Sequence, residues 1–398
     1  MNPASCFASA ERHIPEALDF LRDLVSVNSF TANADGVAEV ARITAERFAP
    51  LGFSADFVPC AVPNTGPHLF LDRPGPGDPT LLATHSDTVF PAIEEAANQF
   101  RWDERPDEGR IYGPGTIDNK GCTALLWLML QVLRDCAPER LDSARWLVAA
   151  NAAEEITGDD FGIAATRVCG GKARAVLVFE GGPVDERGWH LVTSRKGRST
   201  WRLDAEGKAA HAGSQHHLGI NAIDALATAL PGISALTDPG ENRTVNLGAI
   251  YGGTVVNRVP HEASAEWECR AASPDSLARA DAAFAALSGL APNGAVLTAT
   301  RTGFTRPWPG GPETDRLYSL WEQAAVSIGL TTVSAPRGGL SDANHLAHLG
   351  PVLDGLGPSG GNAHCSERRD DGSKLPEYLE PASMVPKAVM NALAIGRL

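Results

Sequence analysis

The feature that most constrains this chain is a repeated unit in which a short apolar run breaks off at a histidine or a carboxylate. TLLATH (Thr80–His85) is followed by Asp87, RWLVAAN (Arg145–Asn151) by Glu154 and Glu155, and AVLVFE (Ala175–Glu180) ends on Glu180 itself. These runs are strand-sized, and the stretches between them, CTALLWLMLQVL from Cys122 and the region around Phe161–Val168, carry helical spacing. Alternation of this kind predicts α/β layering. In an open α/β sheet, ligand groups gather beyond the carboxyl ends of the strands, so one acidic cleft is expected.

The texture changes between Ser194 and Thr302, where period-two runs (STWRLDAEG, RTVNLGAIYGG, EASAEWECR) alternate with two Ala-rich helical stretches. This segment reads as a compact α+β sandwich. A chain of 398 residues also exceeds the size at which one hydrophobic core stops growing, about 250–300 residues. We therefore expect an α/β catalytic domain of residues 1–193 and 303–398, closed by an amphipathic helix from about Ala382 to Ile395, with residues 194–302 inserted as a second domain.

Charge removes several function classes. Lys and Arg number 34 against 48 Asp and Glu, a net −14, which disfavours a nucleic-acid backbone or an anionic membrane as partner. No uncharged apolar run approaches the roughly 18 residues of a membrane span, and no secretory signal is visible at the amino terminus. Seven scattered cysteines without a CxxC pair indicate neither a disulfide framework nor a thiolate zinc site. A cytoplasmic protein is the expectation.

Taken singly, the polar residues at the strand ends have bland readings. His85 and Asp87 lie two apart on extended chain and face one side, as a ligand with its orienting carboxylate or as an ordinary turn. Asp118, in GPGTIDNKGC, precedes a helix and is either a ligand or a cap. Glu154 and Glu155 would repel each other without a cation, although exposed acidic pairs are common. Glu180 and the loop histidine His364 would each pass as solvated. Their conjunction points to metal: two histidines and several carboxylates without cysteine suit zinc, cobalt or manganese. The number of carboxylates suggests two ions, one carboxylate bridging them.

These residues lie within eight motifs, THSDTV, YGPGTIDNKG, NAAEEITG, FEGG, GKAAHAG, GGTVVNRVP, GGLSDAN and GPSGGNAH. Their order resembles the dinuclear zinc metallohydrolases that include carboxypeptidase G, acetylornithine deacetylase, succinyl-diaminopimelate desuccinylase and aminoacylase. The resemblance implies a zinc-exopeptidase-like mixed-sheet α/β catalytic domain and an inserted lid that makes a homodimer. It implies that Asp118 bridges two divalent ions, most naturally zinc, that His85 and Glu180 complete one site, and that Glu155 and His364 complete the other. Asp87 would orient His85 and Glu154 would be the general base, with a cis peptide after Asp118. His211 would enter the partner subunit's site, and Asn257, Arg270, Gly338, Gly339 and Ser341 would meet substrate. For Arg270 a structural ion pair with Glu268 is an equal reading, and Asp342 is either a loop residue or a helix cap.

The expected reaction is hydrolysis of an amide bond beside a free carboxylate, in a peptide or an N-acyl amino acid, as in carboxypeptidase G. The resemblance associates a glutamate at the Glu180 position with carboxypeptidases and deacylases. Arg270, Arg301, Arg306 and Arg337 are available to hold the carboxylate. A small-acyl deacylase of the acetylornithine type is the alternative, and a non-catalytic binding protein on the same fold is a third reading.

Overall fold

The computed structural model describes every residue except Asp370, and the chain divides into two compact units. The first comprises Met1–Thr193, Gly310–Pro336 and Ser341–Leu398, and the second Ser194–Pro309 with Arg337–Leu340. The return to the first unit falls at Gly310 rather than 303, because the strand Val296–Thr305 runs on through that point as part of the second unit's sheet.

The first unit is built on a six-stranded mixed sheet in the order Ser54–Val58, His68–Arg73, Trp146–Asn151, Thr80–His85, Ala175–Val178, Val352–Leu353. The first two strands and their pairing with Trp146–Asn151 are antiparallel, and the remaining pairings are parallel. Thr80–His85 and Trp146–Asn151 are buried at every position, as strands covered on both faces must be. Their register places His85 opposite Asn151 and Ala83 opposite Val178. Three carboxyl ends therefore finish level, and Asp87, Glu154 and Glu180 emerge at one edge.

Against this sheet the helix Lys120–Cys136 is buried at every residue from Lys120 to Leu133. Its lysine is tolerated because Nζ donates to the Val27 carbonyl at 2.9 Å. The last helix, Met384–Ile395, departs from the amphipathic expectation, since Lys387–Ile395 are all buried. Its polar members are satisfied internally: Lys387 Nζ donates to the Gly355 carbonyl, and Asn391 pairs with Trp321 Nε1 and the Leu356 carbonyl.

The second unit is a five-stranded antiparallel sheet, ordered Thr244–Gly252, Glu262–Ala271, Gly197–Glu206, Val296–Thr305, Gly289–Leu290, with the helices Ala222–Ser234 and Pro274–Ala285. Burial alternates along Gly197–Glu206, the pattern of a sheet covered on one face. Its core is aromatic: Trp201 and Trp267 stack at 6.5 Å, and Phe284 packs against both. Among the described residues no helix is long and apolar enough to cross a membrane.

Candidate metal centre

His85, at the end of its strand, is fully enclosed. Its Nδ1 faces two oxygens of Asp87, the carbonyl at 3.1 Å and the carboxylate at 3.3 Å. Neither oxygen can donate, so Nδ1 carries a proton and Nε2 is the ring atom that faces the cleft, where a bound ion would take the place of its proton. Nε2 lies 2.8 Å from Asp118 Oδ1 and 3.9 Å from Glu180 Oε1. On the other side of Asp118, Oδ2 lies 3.3 Å from His364 Nε2, which is also 3.1 Å from Glu155 Oε2. One carboxylate thus faces two imidazoles through two different oxygens.

Asp118 does not cap the following helix. The cap position belongs to Asn119, whose Nδ2 donates to the Phe179 carbonyl and Glu180 Oε2. The Asp118–Asn119 peptide is cis, and Glu377 Oε1 accepts the N–H groups of both Ile117 and Asp118. His364 reaches the cleft from a loop with a left-handed backbone, φ 68°. Gly357 allows the last strand's loop to pass close to Glu180: a Cβ there would stand 2.6 Å from the Glu180 carbonyl.

The Glu154–Glu155 turn hangs from Asp87, which accepts the Glu154 N–H on Oδ1 (3.1 Å) and the Glu155 N–H on Oδ2 (3.3 Å). Thr31 adds its hydroxyl at 2.7 Å. Asn151 fastens the turn's start, accepting the Ala153 N–H while donating to Asp342 Oδ1. Ser341, not Asp342, caps the helix Asp342–Leu346. Thr31, Asn119, Asn151 and Glu377 were not singled out from sequence: each is an ordinary polar residue along the chain, and only folding brings it to the centre.

The electrostatics favour positive charge in the centre. Burial pushes Glu154 and Glu180 far above the usual carboxylate range, and the neighbouring acids Asp118 and, for Glu154, Asp342 and Glu155 push further. Burial also raises Glu155. Burial opposes ionisation of Asp118, but hydrogen bonds from His364 and His85 outweigh it and hold the group low. The same contacts, with Asp118 and Glu155, raise His364 to about 10. Glu155 Oε1 and Asn119 Oδ1 are buried with no hydrogen-bond partner. Atoms of His85, Asp118 and Glu155 lie within 4.8 Å of one another. Crowded, buried carboxylates, an orphaned carboxylate oxygen and two imidazoles around one aspartate fit divalent cations, which relieve the crowding and supply the missing partner.

The remaining predicted site residues lie in the second unit or at its return. His211 is exposed, and its Nδ1 accepts the N–H groups of Gly213 and Ser214 (3.1 and 3.2 Å), so its ring proton is on Nε2. Asn257 is adjacent, its carbonyl accepting the Ala212 N–H. Arg270 forms a two-point ion pair with Glu268 and donates to the Gly338 carbonyl, and Arg195 donates to the Gly339 and Leu340 carbonyls. The two guanidiniums fix the 338–340 loop. Of the other arginines, Arg301 pairs with Asp281 at 3.2 Å.

Comparison with known proteins gives these units a family context. Residues 193–291 match the peptidase dimerisation domain. The chain is 26% identical to carboxypeptidase G2 of Pseudomonas sp. (strain RS-16) over 95% of its own length and 90% of that protein's. To succinyl-diaminopimelate desuccinylase of Leptothrix cholodnii it is 27% identical, over 94% and 96%. Among solved structures, aminopeptidase PepT from Bacillus cereus matches with a TM-score of 0.77 at 21% identity, covering 96% of this chain and 98% of that one. The Bacillus subtilis YXEP protein, described as a dinuclear metal binding peptidase from the M20 family, matches with a TM-score of 0.72 at 14% identity, covering 97% and 98%. The two structural likenesses show the fold.

Proposed function

We propose, for a chain that is a hydrolase of the M20 metallopeptidase and deacylase type, that it cleaves an amide bond next to a free amino-acid carboxylate, in the manner of carboxypeptidase G. The observation that supports this reading is Asp118, whose two oxygens face His85 and His364 separately, beside the buried carboxyl of Glu154. His85, Asp118 and Glu180 would hold one divalent ion, and Asp118, Glu155 and His364 the other, with zinc the natural choice for imidazole and carboxylate donors. When bound, two such ions polarise a carbonyl and acidify water.

The chain's own residues supply the proton traffic and the orientation. Glu154, buried beside Asp118 and Glu155, is placed to take a proton from water and return it to the leaving amine nitrogen once bound ions keep it ionised, work that contributes about 10²–10⁴-fold. Asp87 keeps that carboxylate in place through its backbone and keeps the His85 proton on Nδ1. His211, fixed as an Nε2–H donor, is suited to a developing oxyanion, supplied across a homodimer formed by the second unit. The 338–340 loop, Ser341 and Asn257 would line the substrate side. Because Arg270 is already paired with Glu268, its role here is to shape the loop. All seven cysteines are free, which suits the cytoplasm.

A panel of N-acyl amino acids and dipeptides, followed by amine release with and without a chelator, tests the reading. Chelator-sensitive release of an amino acid from an aryl- or folyl-glutamate amide is expected. Turnover confined to acetylated amino acids would favour the acetylornithine-type deacylase. Glu154→Gln should retain its ions and lose hydrolysis, and undiminished turnover would overturn the proposed mechanism.

A further inference from the structure

The turn that carries Glu154 is held by one more acceptor, outside the cleft. Four consecutive backbone N–H groups, from Ala152 to Glu155, each meet a side chain: His68 Nδ1, Asn151 Oδ1, then the two oxygens of Asp87. His68 is the first residue of its strand, 1% exposed, and accepts the Ala152 N–H at 3.1 Å. A backbone N–H can only donate, so Nδ1 bears no proton and Nε2 bears it. Nε2–H points at Asp160 Oδ2, 3.1 Å away. Asp160 lies in the first turn of the helix Asp159–Cys169 and also accepts the Ala61 N–H at 2.6 Å. The ring is braced by Phe161, 5.4 Å between centroids.

The tautomer decides what this group is for. Atoms of Cys60, His68 and Asp160 lie within 4.8 Å of one another, a spacing that also suits a cation. His85 turns Nε2 to the cleft because Nδ1 donates to Asp87; His68 has the opposite arrangement, with Nδ1 accepting from the backbone and Nε2–H donating to Asp160. Its ring has no lone pair left for an ion. Burial also lowers the affinity of His68 for a second proton, against the opposing pull of Asp160 and Asp87, so the acceptor at Ala152 persists.

We propose that His68, anchored by Asp160, is a positioning residue for the general base: it fixes the amide two residues before Glu154 and thereby sets where that carboxylate stands. A small displacement of a reacting group costs up to about 100-fold in rate, and Ala152 is fully buried, so no solvent replaces a lost acceptor. The inference rests on Glu154 acting as the base.

The test uses the metal-loaded enzyme and the fastest substrate among N-acyl amino acids and dipeptides. His68→Leu should lower kcat about 10- to 100-fold while KM and bound metal stay near the parental values. His68→Asn, whose Oδ1 takes the place of Nδ1 and can accept the Ala152 N–H, should recover most of that loss. Unchanged kcat in His68→Leu, loss of the ions along with activity, or no recovery in His68→Asn would each overturn the proposal. If His68→Leu does not fold, Asp160→Ala leaves the ring in place without its anchor, and unchanged kcat in that variant overturns it equally. Glu154→Gln assayed alongside separates the two levels. If Glu154→Gln keeps turnover, the base assignment fails and the positioning role with it. If it is inactive while His68→Leu is unaffected, only the positioning role fails.

Discussion

Asp87 holds Glu154 by its backbone, accepting that N–H at 3.1 Å on the same oxygen that faces His85 Nδ1 at 3.3 Å. The other oxygen takes the Thr31 hydroxyl and the Glu155 N–H. Four donors fill the capacity of one carboxylate. Asp87→Asn would set an NH₂ against donors it cannot accept from, and Asp87→Ala would leave the Glu154 and Glu155 N–H groups without their acceptor and His85 Nδ1 with the main-chain carbonyl of residue 87 alone. Both variants should bind the ions about 10- to 100-fold more weakly and lose kcat beyond what added metal restores. Metal titration followed by assay at saturating metal separates the two effects. Full recovery at saturating metal would mean that Asp87 serves His85 alone.

Gly357 sets how closely the loop after the last strand passes Glu180. Its N–H donates to the Glu180 carbonyl at 2.7 Å, and an added Cβ would stand 2.3 Å from Cys122 Sγ and 2.6 Å from that carbonyl. Gly357→Ala should therefore shift Glu180 and release one of two ions, measured as metal per chain after dialysis. Adding Cys122→Ala relieves only the sulfur contact, so the double variant should remain metal-poor. Two ions in Gly357→Ala would show that the loop yields without moving the ligand.

Much of the catalytic unit was legible because its signals are local. Thr80–His85, Trp146–Asn151 and Ala175–Val178 read as strands because each is an unbroken apolar run, and their aligned register explains why their trailing acids share an edge. Ser54–Val58 and His68–Arg73 do not read as strands in the sequence: the first is mostly exposed, and the second carries His68 and Asp72, so neither shows a clean apolar run. Residues that act through long-range contacts were also silent. Glu377 lies 259 positions from Asp118, in a stretch with no periodicity, and its burial, which raises it to about 8, exists only in the folded chain. The final helix read as amphipathic because Lys387 and Asn391 look like surface residues until their buried partners are seen.

His211 lies within the segment matching the peptidase dimerisation domain, and its tautomer is set by two backbone N–H groups. If the ring serves the other subunit of a dimer, activity lost in His211→Ala and in Glu154→Gln should return when the two are mixed. Random exchange at equal amounts makes half the dimers mixed, each with one intact site, so about one quarter of parental activity is expected. Ion-exchange separation of differently tagged dimers verifies the exchange. No recovery despite exchange would place His211 outside the partner's reaction.

Lys387 links the core to pH. It is fully buried in the last helix, with Nζ donating to the Gly355 carbonyl at 2.9 Å and lying 5.4 Å from the Trp189 ring centre. Burial lowers its pKa from 10.5 to about 7, with Cys122 and Asp354 opposing the shift. Between these values the unfolded chain binds the proton more fully than the folded one, so the folded state gains stability as pH rises. The penalty is complete below about 7 and gone above 10.5. Lys387→Met, which fills similar space without a charge, should be the more stable form at about pH 6, and its advantage should shrink steadily towards about pH 10. Chemical unfolding of both proteins across that range, at constant metal, measures the gap. A gap that does not change with pH would mean that Lys387 keeps its proton in the folded protein, held by the Gly355 carbonyl and the face of Trp189 strongly enough to offset burial.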